Sequence, residues 1–331
     1  MSEAHNNHQR VQTQWRGPLR VLFMGTPAFA LPSLERLVSW SKSNQHAPLS
    51  VVGVVSQPAR PKGRGQRLEQ TPIGTYAEAN ALPLYQWPKL KNESFEALSA
   101  LQPDLIVVIA YGKILPKRYL ELAPLGCWNL HGSILPALRG AAPVQWALLH
   151  GLKETGVSLM QLDEGMDTGP VGLQKSCPIE AEEDASALFE KLSLLSADVL
   201  EAGLEALYGA GLPFLEQDAE EASYAPLLKK EDGEIDWSRP AQRIADQVRG
   251  LSVWPGSWST SSLGRIKVAQ VRVVEGEGQP GELLEPLPEG PRVACGTQAL
   301  CLERLQRPGR KLQSGAEFLR GAVLPVGEVL T

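Results

Sequence analysis

Asp104-Leu-Ile-Val-Val-Ile-Ala110 is the stretch that decides the fold, an unbroken apolar run between an aspartate and the pair Tyr111-Gly112. A run this short with no alternation reads as a strand buried on both faces, and it cannot cross a bilayer. Working outward, Arg20-Val-Leu-Phe-Met24 is a run of the same kind that ends at Gly25-Thr-Pro27, followed by Ser50-Val-Val-Gly-Val-Val55 and Pro83 to Gln86. Helical spacing separates them, through Leu31, Leu34, Leu37 and Val38 with Pro32 in the first turn, then about Thr71 to Asn80, then near Glu93 to Leu101. The alternation continues with Cys127 to His131, a helix Val144 to His150, a strand Gly156 to Leu162 and a long amphipathic helix, about Asp184 to Leu207.

Buried strands alternating with helices predict a doubly wound, Rossmann-like parallel sheet covered on both faces. Past Pro226 the texture changes. One helix near Ala241 to Gly250 precedes short alternating runs at Trp258 to Ser261, Ile266 to Val274, Val293 to Gly296 and Leu300 to Leu305, separated by Gly/Pro clusters. These predict a small C-terminal OB-like β-barrel. The expected organisation is therefore a flexible polar tail over 1–18, an α/β domain over 19–210, a linker over 211–225 and the barrel over 226–331.

The 331 residues are 43% hydrophobic and 21% charged, which excludes a disordered or fibrous chain. With 32 basic and 37 acidic residues the net charge is −5, so any polyanion must be met by a local basic patch. Cys127, Cys177, Cys295 and Cys301 form no CxxC pair and suit a reducing cytoplasm. The first residues have neither an apolar core nor an Arg/Ser-rich pattern, so no targeting signal is expected. No long apolar seam marks a partner subunit, and a monomer is expected. Neither membrane insertion nor a metal site is expected, since Cys127 and His131 share a strand face without further ligands at a recognisable spacing.

The first glycine turn lacks GxGxxG, so it offers no pyrophosphate cradle. Chemistry is sought instead at Asn129 and His131. Two apart on one strand, they project from the same face, and Gly132 ends the strand at the carboxyl edge where open α/β sheets bind ligands. An amide that holds an oxyanion beside an imidazole that moves a proton suits acyl transfer; a buried Asn/His pair bonded to backbone is the structural alternative. The other histidines stand elsewhere: His5 and His8 in the tail, His46 in a polar loop, His150 at a helix end. In Asp163-Glu-Gly-Met-Asp-Thr-Gly169, glycines two residues either side of Asp167 let the backbone aim its carboxylate, which would orient His131; such a loop also serves as a plain solvated turn.

Asn129-Leu-His-Gly-Ser-Ile-Leu-Pro136, then Arg139-Gly-Ala-Ala-Pro-Val-Gln145, then Asp163 to Gly169 resemble the signature of the folate-dependent formyltransferases. The resemblance extends from Arg20 to the C-terminus through Gly25-Thr-Pro27, Gln57 to Gly65, Ile109 to Pro116 and Ile235-Asp-Trp237, and is nearest the branch acting on methionyl-tRNA. It implies transfer of formyl from the cosubstrate 10-formyltetrahydrofolate to the amino group of methionyl-initiator tRNA. By position it implies a catalytic trio of Asn129, His131 and Asp167, and folate contacts from Tyr111, Gly112, Lys113, Ile114 and Leu115 and from Ser133, Ile134, Leu135 and Pro136.

It also implies that the basic loop carrying Arg60, Lys62, Arg64 and Arg67 engages the tRNA acceptor arm, with Arg139 as a further cation; on charge alone the loop is a solvated one. Ala137 departs from the family, which has a basic residue there. Arg265, Lys267, Arg272, Arg304, Arg307, Arg310 and Lys311 punctuate the barrel, where the same two readings apply: an OB-like barrel suits an RNA platform, but the fold alone does not establish one. The alternatives are a formyltetrahydrofolate hydrolase or small-amine formyltransferase using the same residues, and a non-catalytic tRNA-binding protein. A Ser133 nucleophile is not supported, because no G-x-S-x-G elbow surrounds it.

Overall fold

The computed structural model describes residues 10–44, 46–62, 67–321 and 324–331. The chain divides into two compact units, the first made of residues up to Gly140 with Thr155–Cys177 and Phe189–Tyr224, the second of Ala141–Glu154, Pro178–Leu188 and Ala225–Thr331. The second unit thus recruits two earlier segments besides the C-terminal stretch.

Up to the C-terminal stretch the strands are β1 (Arg10–Gln12), β2 (Leu19–Gly25), β3 (Leu49–Ser56), β4 (Arg60–Lys62), β5 (Arg67–Glu69), β6 (Leu84–Gln86), β7 (Leu105–Ile109), β8 (Cys127–His131), β9 (Glu154–Gln161), β10 (Val171–Pro178) and β11 (Leu212–Phe214). The helices are α1 (Leu31–Ser43), α2 (Pro72–Ala79), α3 (Asn92–Ser99), α4 (Lys117–Leu120), α5 (Pro143–Leu149), which counts with the second unit, and α6 (Ala185–Tyr208). Seven strands form one sheet in the order β10-β9-β8-β7-β2-β3-β6. β2 pairs in parallel with β3 and β7, and β7 with β8. The winding reverses between β2 and β7, which opens a crevice at their carboxyl ends. All of Leu105–Ile109 is buried, as its unbroken apolar run requires.

Three features differ from the sequence expectation. The sheet is not wholly parallel, because β9 runs antiparallel to β8. Thr155–Met160 is buried throughout, and a strand covered on both faces is apolar whichever way it runs, so its direction leaves no trace in composition. Strand β10 is half-exposed at the sheet edge and carries Gly172 and Lys175, which hides it from an apolar search. Arg10–Gln12, within the stretch read as a loose tail, pairs antiparallel with Leu212–Phe214.

Helix α6 packs unusually close to the sheet at Gly203, where a Cβ would stand 2.6 Å from a Leu159 methyl and 3.3 Å from the Trp128 ring. Only glycine lets the helix backbone approach that near.

The second unit has its own core. Helix α7 (Ala241–Gly250) buries Ala241, Ile244 and Val248 at helical spacing. Strands β12 (Ser257–Ser261), β13 (Gly264–Val274), β14 (Leu283–Leu287), β15 (Gly290–Ala294) and β16 (Ala299–Gln306) follow in the spatial order β12-β13-β16-β15-β14, with β17 (Gln313–Ser314) on β16. These strands pair with one another antiparallel, and isolated parallel bridges join Glu234 to Trp258 and Pro240 to Thr297. Register shifts between Val268 and Val271 bend β13 locally. Trp237, Ile266, Val293, Leu300, Leu305 and Phe318, the last from α8 (Gly315–Gly321), fill this core.

Candidate active site

Asn129 and His131 lie on one face of β8, about 6.5 Å apart along the strand. His131 is 6% exposed. Its Nε2 is 2.9 Å from the Leu138 carbonyl oxygen and its Nδ1 is 3.6 Å from Asp167 Oδ2. Nε2 is thus within hydrogen-bond reach of a backbone carbonyl, while Nδ1 faces the Asp167 carboxylate across a gap too long for a direct hydrogen bond. The Asn129 amide is half-buried and finds no hydrogen-bond partner among the described residues. A half-buried amide without a protein partner is open to a ligand or to water.

Asp167 sits in a loop shaped by its own sequence. Asp163 Oδ1 accepts from the Gly165 N–H and the Thr168 hydroxyl, which closes the turn. A Cβ at Gly169 would collide with the Gln161 carbonyl, so the last glycine of the motif is a packing requirement. Asp167 itself has φ +55°, the left-handed region, and its Oδ2 accepts the Gly140 N–H at 2.8 Å. Its carboxylate is 16% exposed.

Two loops flank these groups. After β7, Ala110 and Gly112 both take positive φ, and the Tyr111 carbonyl accepts from the Thr26 hydroxyl and from Gln57 Nε2. The Tyr111 ring turns into the core beside Leu115 and Tyr119, and burial pushes its phenol up to about 12. Ile114 stands 88% exposed. Lys113 donates to the Trp87 and Pro88 carbonyls, and burial, followed by the Arg60 charge, lowers its pKa. In the other loop Met166 is 62% exposed, and Lys117 and Glu164 join the two loops at 2.8 Å. Beside β8, Ser133 donates its hydroxyl to the Ala137 carbonyl, and Ser158 and Gln174 fix the backbone of Ser133 and Leu135, with Ile134 and Pro136 partly exposed. A cleft of about 260 Å³ opens at the ends of β2, β3 and β7, lined by Thr26, Gln57, Arg60, Thr71, Tyr111 and Gly112 among others.

The basic loop is a hairpin at its base: Arg60 pairs with Glu69 and Lys62 with Arg67 in an antiparallel ladder. Arg64 lies outside the described residues. Arg139, read from sequence as a cation for phosphate, is 4% exposed and gives its Nε and Nη2 to Gln217 Oε1, so it belongs to the packing behind Asp167. Gln217 was beyond sequence reasoning, since a glutamine in a polar linker carries no pattern. Gln174 and Ser158 were equally invisible, one on the edge strand β10 and the other inside an apolar strand.

Comparison with known proteins gives a consistent result. Residues 19–202 match a family model described as formyl transferase, and residues 227–323 match one described as formyl transferase, C-terminal domain. The chain is 44% identical over 312 residues to a methionyl-tRNA formyltransferase of Trichlorobacter lovleyi, covering 94% of this chain and 96% of that one. It is 41% identical over 310 residues to the methionyl-tRNA formyltransferase of Geobacter sulfurreducens, covering 93% and 96%. Among solved structures it is similar to WlaRD, a sugar 3N-formyl transferase studied with dTDP and 5-N-formyl-THF, with a TM-score of 0.62 at 15% identity over 88% of this chain and 99% of that one. It is also similar to HypX from Aquifex aeolicus, with a TM-score of 0.59 at 18% identity over 92% of this chain and 49% of that one. At these identities the structural likeness speaks for the fold alone.

Proposed function

The chain belongs to the formyl transferase family, and from that premise we propose that it transfers the formyl group of 10-formyltetrahydrofolate to the amino group of methionyl-initiator tRNA, giving N-formylmethionyl-tRNA for translation initiation. The observation that carries the chemistry is the open Asn129 amide on the same strand face as His131, whose Nδ1 looks at Asp167 across 3.6 Å.

The neutral amine bonds through its lone pair to the formyl carbon, and the carbonyl oxygen takes up negative charge. Asn129 donates its N–H to that oxygen, and the positive His131 ring stabilises the charge electrostatically. One proton must leave the attacking nitrogen and one must reach N10 of the departing folate as its bond to carbon breaks. Asp167 takes the first and the His131–Asp167 pair returns the second, so the pair ends in the protonation state in which it began. A gap of 3.6 Å is too long for a direct hydrogen bond and is spanned by one water or a small closure.

Ile114 and Met166, on the two loops joined by Lys117 and Glu164, offer apolar surface to the flat pterin, with Tyr111 to Leu115 and Ser133 to Pro136 as the folate-side segments. The basic segment carrying Arg60, Lys62, Arg64 and Arg67 engages the acceptor arm of the tRNA, and the C-terminal unit holds the rest. Four cysteines, none in a disulfide, fit the cytoplasm, where translation runs, and the enzyme is read as a monomer.

Incubation with 10-formyltetrahydrofolate and charged initiator tRNA, then deacylation, is expected to yield formyl-methionine. Formate released without tRNA would assign a hydrolase, and tRNA bound without turnover would leave a binding protein.

A further inference from the structure

We propose that Gln217 is a positioning residue that holds Asp167 in its working conformation, a role no motif assigns to it. Gln217 Nε2 donates to the carbonyl oxygens of Asp167 at 2.8 Å and Gly169 at 2.7 Å. Its Oε1 accepts Arg139 Nε at 3.0 Å and Nη2 at 2.8 Å. Two donors and two acceptor sites are all that a carboxamide has, and each is used. The buried guanidinium also fixes which way the amide points: the oxygen must face the cation, so the nitrogen must face the loop.

The loop needs this support. Asp167 is a non-glycine residue at φ +55°, a conformation that persists only where its surroundings enforce it. Arg139 and Gly140 are chain neighbours. One is tied to Gln217 and the other donates its N–H to the Asp167 carboxylate, so Gln217 fixes the backbone on both sides of the contact with His131. A slack loop would alter the Asp167–His131 separation and thereby the proton transfer, with little effect on how either substrate binds.

The inference rests on the proposed formyl transfer for its kinetic arm and on hydrogen exchange for an arm independent of activity. Gln217→Met keeps the length of the side chain and removes its hydrogen bonds; Arg139→Met/Gln217→Met also removes the cation that the single variant strands. The expected result for Gln217→Met is a kcat lower by about 10-fold or more with both KM values within about threefold, a displaced pH profile of kcat, and faster amide exchange over residues 163–169. The double variant is expected to stay slow. Normal kcat, pH profile and loop protection in folded Gln217→Met would overturn the inference. So would recovery of kcat in the double variant, because the defect would then come from the stranded arginine. A wild-type protein that makes no formyl-methionine would sink the proposed function, while comparison of loop protection between wild type and variant would still decide the role of Gln217.

Discussion

Asn129 and His131 stand two apart on one strand, yet their side chains are committed in opposite ways. The histidine is tied through Nε2 to the Leu138 backbone and through Nδ1 toward Asp167, whereas the Asn129 amide has no protein partner among the described residues. In the proposed reaction an unspent donor at Asn129 would stabilise a transition state more than a ground state, because the oxyanion exists only there. Asn129→Ala, His131→Ala and Asp167→Ala are each expected to lower kcat by about 10²-fold or more while leaving tRNA affinity nearly intact. Single-turnover rates and filter-binding constants measured together check this, and near-normal rates in all three would place the chemistry elsewhere. Asn129, His131 and Asp167 were legible in the sequence because strand periodicity and flanking glycines carry direction. The bond from Gln217 to Asp167 was not, because it joins residues 50 positions apart through a linker with no periodicity.

At the scale of elements, the β4–β5 hairpin gives the basic segment a fixed base. Backbone pairing of Lys62 with Arg67 and of Arg60 with Glu69 sets these positions on a two-stranded ribbon rather than a featureless loop. Each phosphate that a cation neutralises releases counterions, so Arg60→Gln/Lys62→Gln/Arg67→Gln should flatten the dependence of log affinity on log salt by roughly 0.7–0.9 for every phosphate no longer neutralised. Titration of initiator tRNA at several salt concentrations reads that slope, and an unchanged slope would return the hairpin to an ordinary solvated turn. The same segment shows where sequence reading stops. β2, β3 and β7 announce themselves by unbroken apolar runs, and α7 by its spacing of Ala241, Ile244 and Val248. The short polar ladders β4–β5 and β17, the edge strand β10 and the reversed direction of β9 do not, since backbone pairing and chain direction leave no mark on side-chain composition.

At the scale of the whole molecule, both compact units hold thiols or phenols whose pKa burial raises, which couples their stability to alkaline pH. In the first unit burial pushes the phenols of Tyr111 and Tyr208 and the thiol of Cys127 up to about 12; in the second it does the same to Cys295 and raises Cys301. Below about pH 9 these groups are protonated whether the chain is folded or not, and their contribution is fully present. Above that the unfolded chain loses the thiol and then the phenol protons while the native state keeps those of Tyr111, Tyr208, Cys127 and Cys295 until about pH 12 and holds that of Cys301 beyond the ordinary thiol range, so the unfolded state binds fewer protons and stability falls. Each of the fully buried groups Tyr111, Cys127 and Cys295 tilts stability by up to about 1.4 kcal/mol per pH unit inside its window, and the partly exposed Tyr208 by less. Urea midpoints measured from pH 8 to 11 should therefore decline in both units, beginning near the ordinary thiol range and steepening near pH 10. Tyr111→Phe is the control, because its hydroxyl is buried without a partner and its removal strands nothing. The variant should match or exceed wild-type stability at pH 8 and decline less steeply above pH 10. A wild-type midpoint that stays level from pH 8 to 11 would mean that these groups are solvated in the native protein.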